Sequence, residues 1–352
     1  MIVLRPAGTR DLAALLRLAG KVGPGMTTLK ADAGALGARL AIAEASFQGT
    51  LPPARCDYMF VLEDTASAQV LGVSALKAAV GLEDPFYNFR LGQLVHSCKE
   101  LGVYSSKKTL FLSNDLTGCA ELCTLFLDPA CRSGTNGKLL SKGRLLFAAG
   151  FIDLLPGLLC AELRGYLRPD GTSPFWESLG QHFFKMDFRT ADDKSGAGAK
   201  SFIAELMPRF PIYTDFLSTA AREVIGRVHA DTEPAQRMLE QEGLAYEGYV
   251  DIFDAGPVVQ GHVRQLRISK DSVLAIARRA DADTASAAAS PPTVPPLLIS
   301  NTRRGDFRAI VSHASPRFGS LTLSAGECAA LGIEDGEPVR AVALKPGDRL
   351  HG

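Results

Sequence analysis

The stretch CTLFLDPACRSGTNGKLL, residues 123–140, leaves the chain few structural options. Its apolar start breaks at Pro129 and again at Gly134 and Gly137, and a helix-prone run of leucines follows at once. A buried strand that turns into a helix through Arg-Ser-Gly-Thr-Asn-Gly satisfies all of these signals, because glycine supplies the positive φ that such turns need. The same turn can also serve as an anion cradle. The first N–H groups of a helix have no internal acceptor and stand at the positive end of its dipole. On these residues alone, a plain strand-to-helix turn and a phosphate cradle both remain open.

Any anion site here has to be local. Lys plus Arg and Asp plus Glu number 38 each, so no general basic field exists to hold nucleic acid or an anionic membrane. The 352 residues are too many for one small core, and 46% hydrophobic with 22% charged residues is an ordinary globular balance. The N-terminus has no basic region followed by an apolar one, and no apolar run reaches the roughly 18–20 residues that span a bilayer. Seven scattered cysteines, an odd number, fit reduced thiols and a cytoplasmic location. Cys119 and Cys123 come closest to a pair, but no histidine or second cysteine pair stands at ligand spacing, so no metal site is expected.

Along the chain, IVLRP predicts a first strand, and Leu12, Leu15, Leu16 and Leu18 recur at helical spacing after the start signals Thr9 and Asp11. Strands are predicted over 58–64 and 70–80, then an aromatic-rich loop over 84–96. Residues 110–129 read as two strands around Asn114–Asp115, followed by a helix over 137–155 and a buried strand over 160–167. A helix opens at the Ser-Pro of 173–184, and 189–202 reads as a polar, glycine-rich loop. A further helix runs from Thr232, its cap, to Glu242, where Gly243 ends it, and a strand follows over 249–257. The Ala-, Ser-, Asp- and Pro-rich stretch 277–296 is the linker candidate. It separates a main region, 1–276, from short β-type runs in 297–352 that suggest a small β-barrel.

Residues 123–140 supply what an acyl-CoA-dependent transferase needs: a strand to pair with the pantetheine amides, then a loop and helix start for the pyrophosphate. Arg132, Gly134, Gly137 and Lys138 resemble the R-x-x-G-x-G signature of the general N-acyltransferase (GNAT) superfamily, with Thr135 where the middle glycine belongs. A more specific resemblance covers nearly the whole chain. The stretches VLEDTAS, VGLEDPFYNFRLGQLVH, LFLSNDLTG, ELCTLFLDP, SPFWESLG, KSFIAELMPRFPIYTDFL, VIGRVHADTEPAQRMLEQEG and YVDIFDAGP occur in the order of the bacterial arginine N-succinyltransferase family. That resemblance implies an α/β (α+β) GNAT-like fold, a mixed sheet flanked by helices, with the C-terminal β segment beyond it. It implies succinyl transfer from succinyl-CoA, a substrate rather than a resident cofactor, to the α-amino group of L-arginine. It places the succinyl-CoA contact on Leu125 and the proton donor on His229, and it implies a homodimer or pairing with a homologous subunit.

Histidine suits that role, since its pKa of about 6.5 allows proton exchange at neutral pH. A bland alternative exists for each residue. His229 also reads as a helix-cap residue, Leu125 as core, and Arg132 and Lys138 as solvated charges. His96 reads as a packed histidine, and Cys123 as core, because direct transfer needs no covalent cysteine. For the substrate guanidinium the candidates are Asp84, Asp115, Glu121, Glu205 and Asp254; for the succinyl carboxylate they are Arg90 and Ser113. Two alternatives stay open: ornithine as acceptor, and a CoA-binding chain without turnover, which the Thr135 departure favours.

Overall fold

A computed structural model describes the chain except for residues 24, 25, 27, 197–200, 281–293, 315 and 349–352. The opening strand β1 (Ile2–Pro6) pairs with β2 (Asp57–Asp64), which pairs with β3 (Gln69–Lys77). Two helices lie between β1 and β2: α1 (Leu12–Ala19) and α2 (Ala33–Gln48). The Asp32 carboxylate starts α2 by accepting the Gly34 and Ala35 N–H groups, and Gly49, at φ 76°, ends it.

Then come β4 (Asn88–Cys98) and β5 (Val103–Ser113), a long hairpin, and β6 (Ala120–Leu127). The segment 84–96, expected as a loop, thus supplies most of β4. Helix α3 (Asn136–Gly150) follows β6 and is buried on nearly all sides, as a helix sandwiched between two layers must be. Next are β7 (Leu158–Glu162), the short β8 (Ile212–Tyr213), β9 (Ala245–Asp251) and β10 (Pro257–His262). The expected loop 189–202 instead carries all but the first residue of one helix, Phe188–Gly196, and the start of another, Ser201–Leu206, with 197–200 outside the described residues.

The C-terminal strands are β11 (Val273–Arg279), β12 (Leu297–Asn301), β13 (Ala309–Ser312), β14 (Pro316–Arg317), β15 (Ser320–Leu323) and β16 (Pro338–Ala343). The expected linker 277–296 begins inside β11, and its stretch 281–293 lies outside the described residues. Among the described residues the strands form one mixed sheet, in the order β14-β15-β11-β16-β12-β13-β1-β2-β3-β6-β7-β10-β9-β4-β5-β8. The expected C-terminal barrel is therefore not closed. The edge of β13 is taken by β1, at Leu4 and Ala309, and the far end stops at β14, where Pro316 cannot donate to a further strand.

An aromatic cluster joins the two parts. Phe47 of α2, Tyr58 and Phe60 of β2 and Phe147 of α3 pack edge-on around each other, and Phe307 from the C-terminal segment completes the set. Among the described residues no helix is long and apolar enough to cross a membrane.

Candidate active site

The sheet comes apart at β6. Its parallel ladder to β7 covers only Ala120 and Glu121, paired with Leu159 and Cys160. Beyond Glu121 the strands diverge, and residues 122–127 line a cavity of ~1360 Å³. On its other edge β6 stays paired with β3, but out of step. Val73 faces Phe126 and Ala75 faces Cys123, so Thr124 and Leu125 together oppose Ser74.

This β-bulge is held under constraint. Thr124 has φ of 52°, a left-handed value unusual for a β-branched residue. Arg39 of α2 donates to the Thr124 hydroxyl (2.9 Å), to the Thr28 carbonyl (2.7 Å) and to Asp57 (2.7 Å). From α3, Arg144 donates to the carbonyls of Ala75 and Cys123, each at 3.1 Å. Arg144 is 2% exposed and has no ion pair among the described residues, and burial lowers its pKa to about 10. Backbone groups of β6 that would have bonded to β7 are left to face the cavity.

Charges alternate across the neighbouring strands: Asp57, Lys77 and Glu121 are register partners on β2, β3 and β6, and all line the cavity. Burial alone would lower the Lys77 pKa, but Glu121, then Cys123 and Asp57, hold it above its ordinary value. Burial and then Glu121 push the Cys123 thiol up, so it stays protonated at neutral pH and is no ready nucleophile.

After β6, residues Pro129–Cys131 form a tight turn capped by Asp128, which accepts the Ala130 N–H and pairs with Lys21. Gly134 then takes φ of 58°, whereas Thr135 sits at an ordinary −104°. The threonine in the motif's glycine position therefore costs no strain, because the left-handed residue has moved one place earlier. Gly137 and Lys138 fall in the first turn of α3, where N–H groups lack intrahelical acceptors. A Cβ on Gly134 would meet nothing within 4 Å, so Gly134→Ala tests conformation alone. It should lower stability by about 1–2 kcal/mol in urea denaturation, and Gly134→Asn by less. Equal stability for all three would place the left-handed turn elsewhere.

The far wall comes from the β7, β9 and β10 side. The buried Asp254 carboxylate accepts N–H bonds from Gly165 (2.7 Å) and Gly256 (2.8 Å). Burial, then Asp251, pushes its pKa well above the usual carboxylate range. Next to it, the His229 N–H donates to the Arg164 carbonyl at 2.9 Å. The His229 Nδ1 accepts the Asp231 N–H at 3.2 Å and caps the turn Ala230–Thr232 before the helix Glu233–Glu242. With Nδ1 accepting, the neutral ring is assigned its proton on Nε2. Burial and then Arg164 lower the pKa of His229, against an opposing pull from Asp231.

Leu125, Arg132, Gly134, Gly137 and Lys138 all line the one cavity, as do Asp84, Glu121 and Asp254. His229 is not among the lining residues, although its neighbours Arg164 and Asp231 are. The remaining candidates lie off the cavity. Arg90 sits beside Asp115, whose carboxylate takes the Tyr249 hydroxyl and whose N–H bonds Ser113. His96 bonds Tyr213, and Glu205 is exposed. Arg39, Lys77, Arg144 and Arg164 were not singled out from sequence. The usable signal was a cation inside an apolar run, as in VSALK and KGRLLF. Among the described residues no group of three or more His, Cys, Asp or Glu is placed to hold a metal ion.

Comparison with known proteins agrees with this geometry. The family model described as arginine N-succinyltransferase beta subunit matches residues 2–268, and that of the same subunit's C-terminal domain matches 278–343. The arginine N-succinyltransferase of Enterobacter sp. (strain 638) is 48% identical over 349 residues, 99% of each chain. That of Yersinia enterocolitica is 49% identical over 346 residues, 98% of each chain. Among solved structures, arginine/ornithine succinyltransferase subunit AI from Pseudomonas aeruginosa superposes with a TM-score of 0.88 at 32% identity, covering 98% of this chain and 99% of that one. From strand opening to glycine turn and along its full length, the chain belongs to the arginine N-succinyltransferase family.

Proposed function

We propose that the chain transfers the succinyl group of succinyl-CoA to the α-amino group of L-arginine, giving N2-succinylarginine and CoA. One observation carries this reading. The unpaired edge of β6, the glycine turn and the cations Lys21, Arg132 and Lys138 share a single cavity. The edge suits the amides of a pantetheine arm, and the helix start with its cations suits a pyrophosphate. The full-length relatives, named arginine N-succinyltransferase, supply the choice of acyl group and amine.

In this reading the thioester lies at the Thr124–Leu125 bulge, where a backbone N–H of β6 stabilises the oxyanion of the tetrahedral intermediate. The substrate ammonium loses one proton before attack and the new C–N bond sheds a second as the C–S bond breaks. His229 relays that second proton to the departing thiolate: the ring is cationic only between taking a proton up and giving one out, so it ends neutral as it began. That role requires the imidazole to reach the cavity that Arg164 and Asp231 line. Asp84, Glu121 and Asp254 are the acids available to a guanidinium. Transfer is direct, in keeping with the protonated Cys123, and succinyl-CoA enters as substrate with no resident cofactor. A cytoplasmic location, and a homodimer or pairing with a homologous subunit, complete the proposal; light scattering of the purified chain reads the assembly.

A second reading takes ornithine as the amine, favoured by the solved relative named an arginine/ornithine succinyltransferase subunit. A free-thiol assay with succinyl-CoA and either amino acid decides. Thiol release with arginine supports the first reading, and release with ornithine alone moves the acceptor. Silence with both, from folded protein that binds CoA, overturns the transfer itself.

A further inference from the structure

Arg164 is an odd residue to find on the cavity wall. It lies two residues past the end of β7, and its backbone is fixed on both sides: its carbonyl takes the His229 N–H, and the next residue, Gly165, donates to buried Asp254. Its side chain, in contrast, is uncommitted. The Nε is fully enclosed with no hydrogen-bond partner, and the guanidinium has no ion pair among the described residues. Arg39 shows the other choice open to a cavity arginine here, being tied to Asp57, Thr28 and Thr124. The carboxylates of Asp254, Asp231 and Asp192 act on Arg164 only at a distance.

A half-buried guanidinium whose enclosed Nε has no partner is costly to keep, since its desolvation is not offset by an internal bond. It becomes favourable when a carboxylate enters and takes its fork of N–H donors. We propose that Arg164 is a substrate-binding residue that receives a carboxylate of the bound substrates, and so selects for charged ones. The inference rests on the succinyl-transfer reading, which brings two such groups: the terminal carboxylate of the succinyl chain and the α-carboxylate of the amino acid. Both lie within a few bonds of the reacting atoms, and Arg164 is bonded through its backbone to His229.

The test uses Arg164→Met and Arg164→Lys in the full chain, with four substrate pairs. The donors are succinyl-CoA and butyryl-CoA, which lacks the carboxylate. The acceptors are L-arginine and agmatine, which is arginine without its carboxylate. The Met variant should lose roughly 30-fold or more in kcat/KM with the natural pair, mostly through KM, and the Lys variant less. If the succinyl carboxylate is the one read, the loss vanishes with butyryl-CoA; if the α-carboxylate, it vanishes with agmatine. Because the side chain makes no bond among the described residues, the thermal midpoint should stay level or rise, and added guanidinium should restore part of the Met variant's rate. An equal loss with all four pairs, or no loss with any, overturns the assignment. Thiol release absent even from the unaltered chain refutes the transfer reading instead.

Discussion

Replacing His229 by alanine is expected to lower kcat by about 10²- to 10⁴-fold, the range for removal of a positioned proton donor. Two roles have to be separated for this result to mean anything. The imidazole caps the turn Ala230–Thr232 through Nδ1, and losing a cap acceptor costs about 0.5–2 kcal/mol of stability. His229→Asn restores an acceptor to the same N–H without an ionisable group. Turnover should therefore fall in both variants, while stability falls chiefly in the alanine one. An asparagine variant that keeps full turnover would leave capping as the only role and remove His229 from the chemistry.

The direction of its pKa adds an independent check. Burial and Arg164 hold the folded value below the ordinary ~6.5 of histidine. In the window from 6.5 down to the folded value, the unfolded chain binds more protons than the folded one. Stability thus falls as pH drops through that window and is unaffected by this group above it. An NMR titration of His229 with its midpoint below 6.5 fits the structure. A midpoint above it would show that Asp231, 3.6 Å from Nδ1, outweighs the other influences.

What could be read from the sequence followed local rules. The strand, the turn at Gly134 and the start of α3 were legible because glycine and leucine spacing report backbone conformation directly. Helix Glu233–Glu242 was legible from its terminal Gly243, although Thr232, read as its cap, makes no side-chain cap bond. The hairpin strand β4 was not, because NFRLGQLVHSC is mostly exposed and its polar residues hide the alternation. The bulge at Thr124 was also invisible, since a threonine in an apolar run promises a regular strand. Its left-handed φ is braced by Arg39, 85 residues earlier in the chain, and by Arg144 on α3. The open C-terminal sheet was missed because strand patterns state how many strands exist but not where an edge finds its partner. Here β1 supplied that partner.

Glu242→Ala is expected to destabilise the protein by roughly 3–5 kcal/mol, the cost of leaving a buried charge without its counter-ion. Glu242 is fully buried at the end of its helix and holds two cations: Lys142 of α3 at 2.7 Å and Arg267 at 2.8 Å. Each cation also donates to the C-terminal segment, Lys142 to the Leu344 carbonyl (3.0 Å) and Arg267 to that of Ala343 (3.1 Å). One carboxylate therefore binds the helix carrying the glycine turn to the helix that follows His229 and to the C-terminal sheet. Burial already lowers the Lys142 pKa, with Glu242 pulling the other way; without Glu242 only burial, Arg267 and Lys138 act, all downward. The folded variant then binds fewer protons than the unfolded chain between the depressed value and the usual lysine range. Its stability should climb as pH rises through that window, over a wider range than in the unaltered protein, where Glu242 offsets part of the depression. Adding Lys142→Met should recover part of the loss at neutral pH, because the stranded ammonium is gone. Urea midpoints at pH 7 and pH 9.5 for the single and double variants measure both effects. A single variant with unchanged midpoints would mean that the C-terminal sheet docks through its apolar contacts alone.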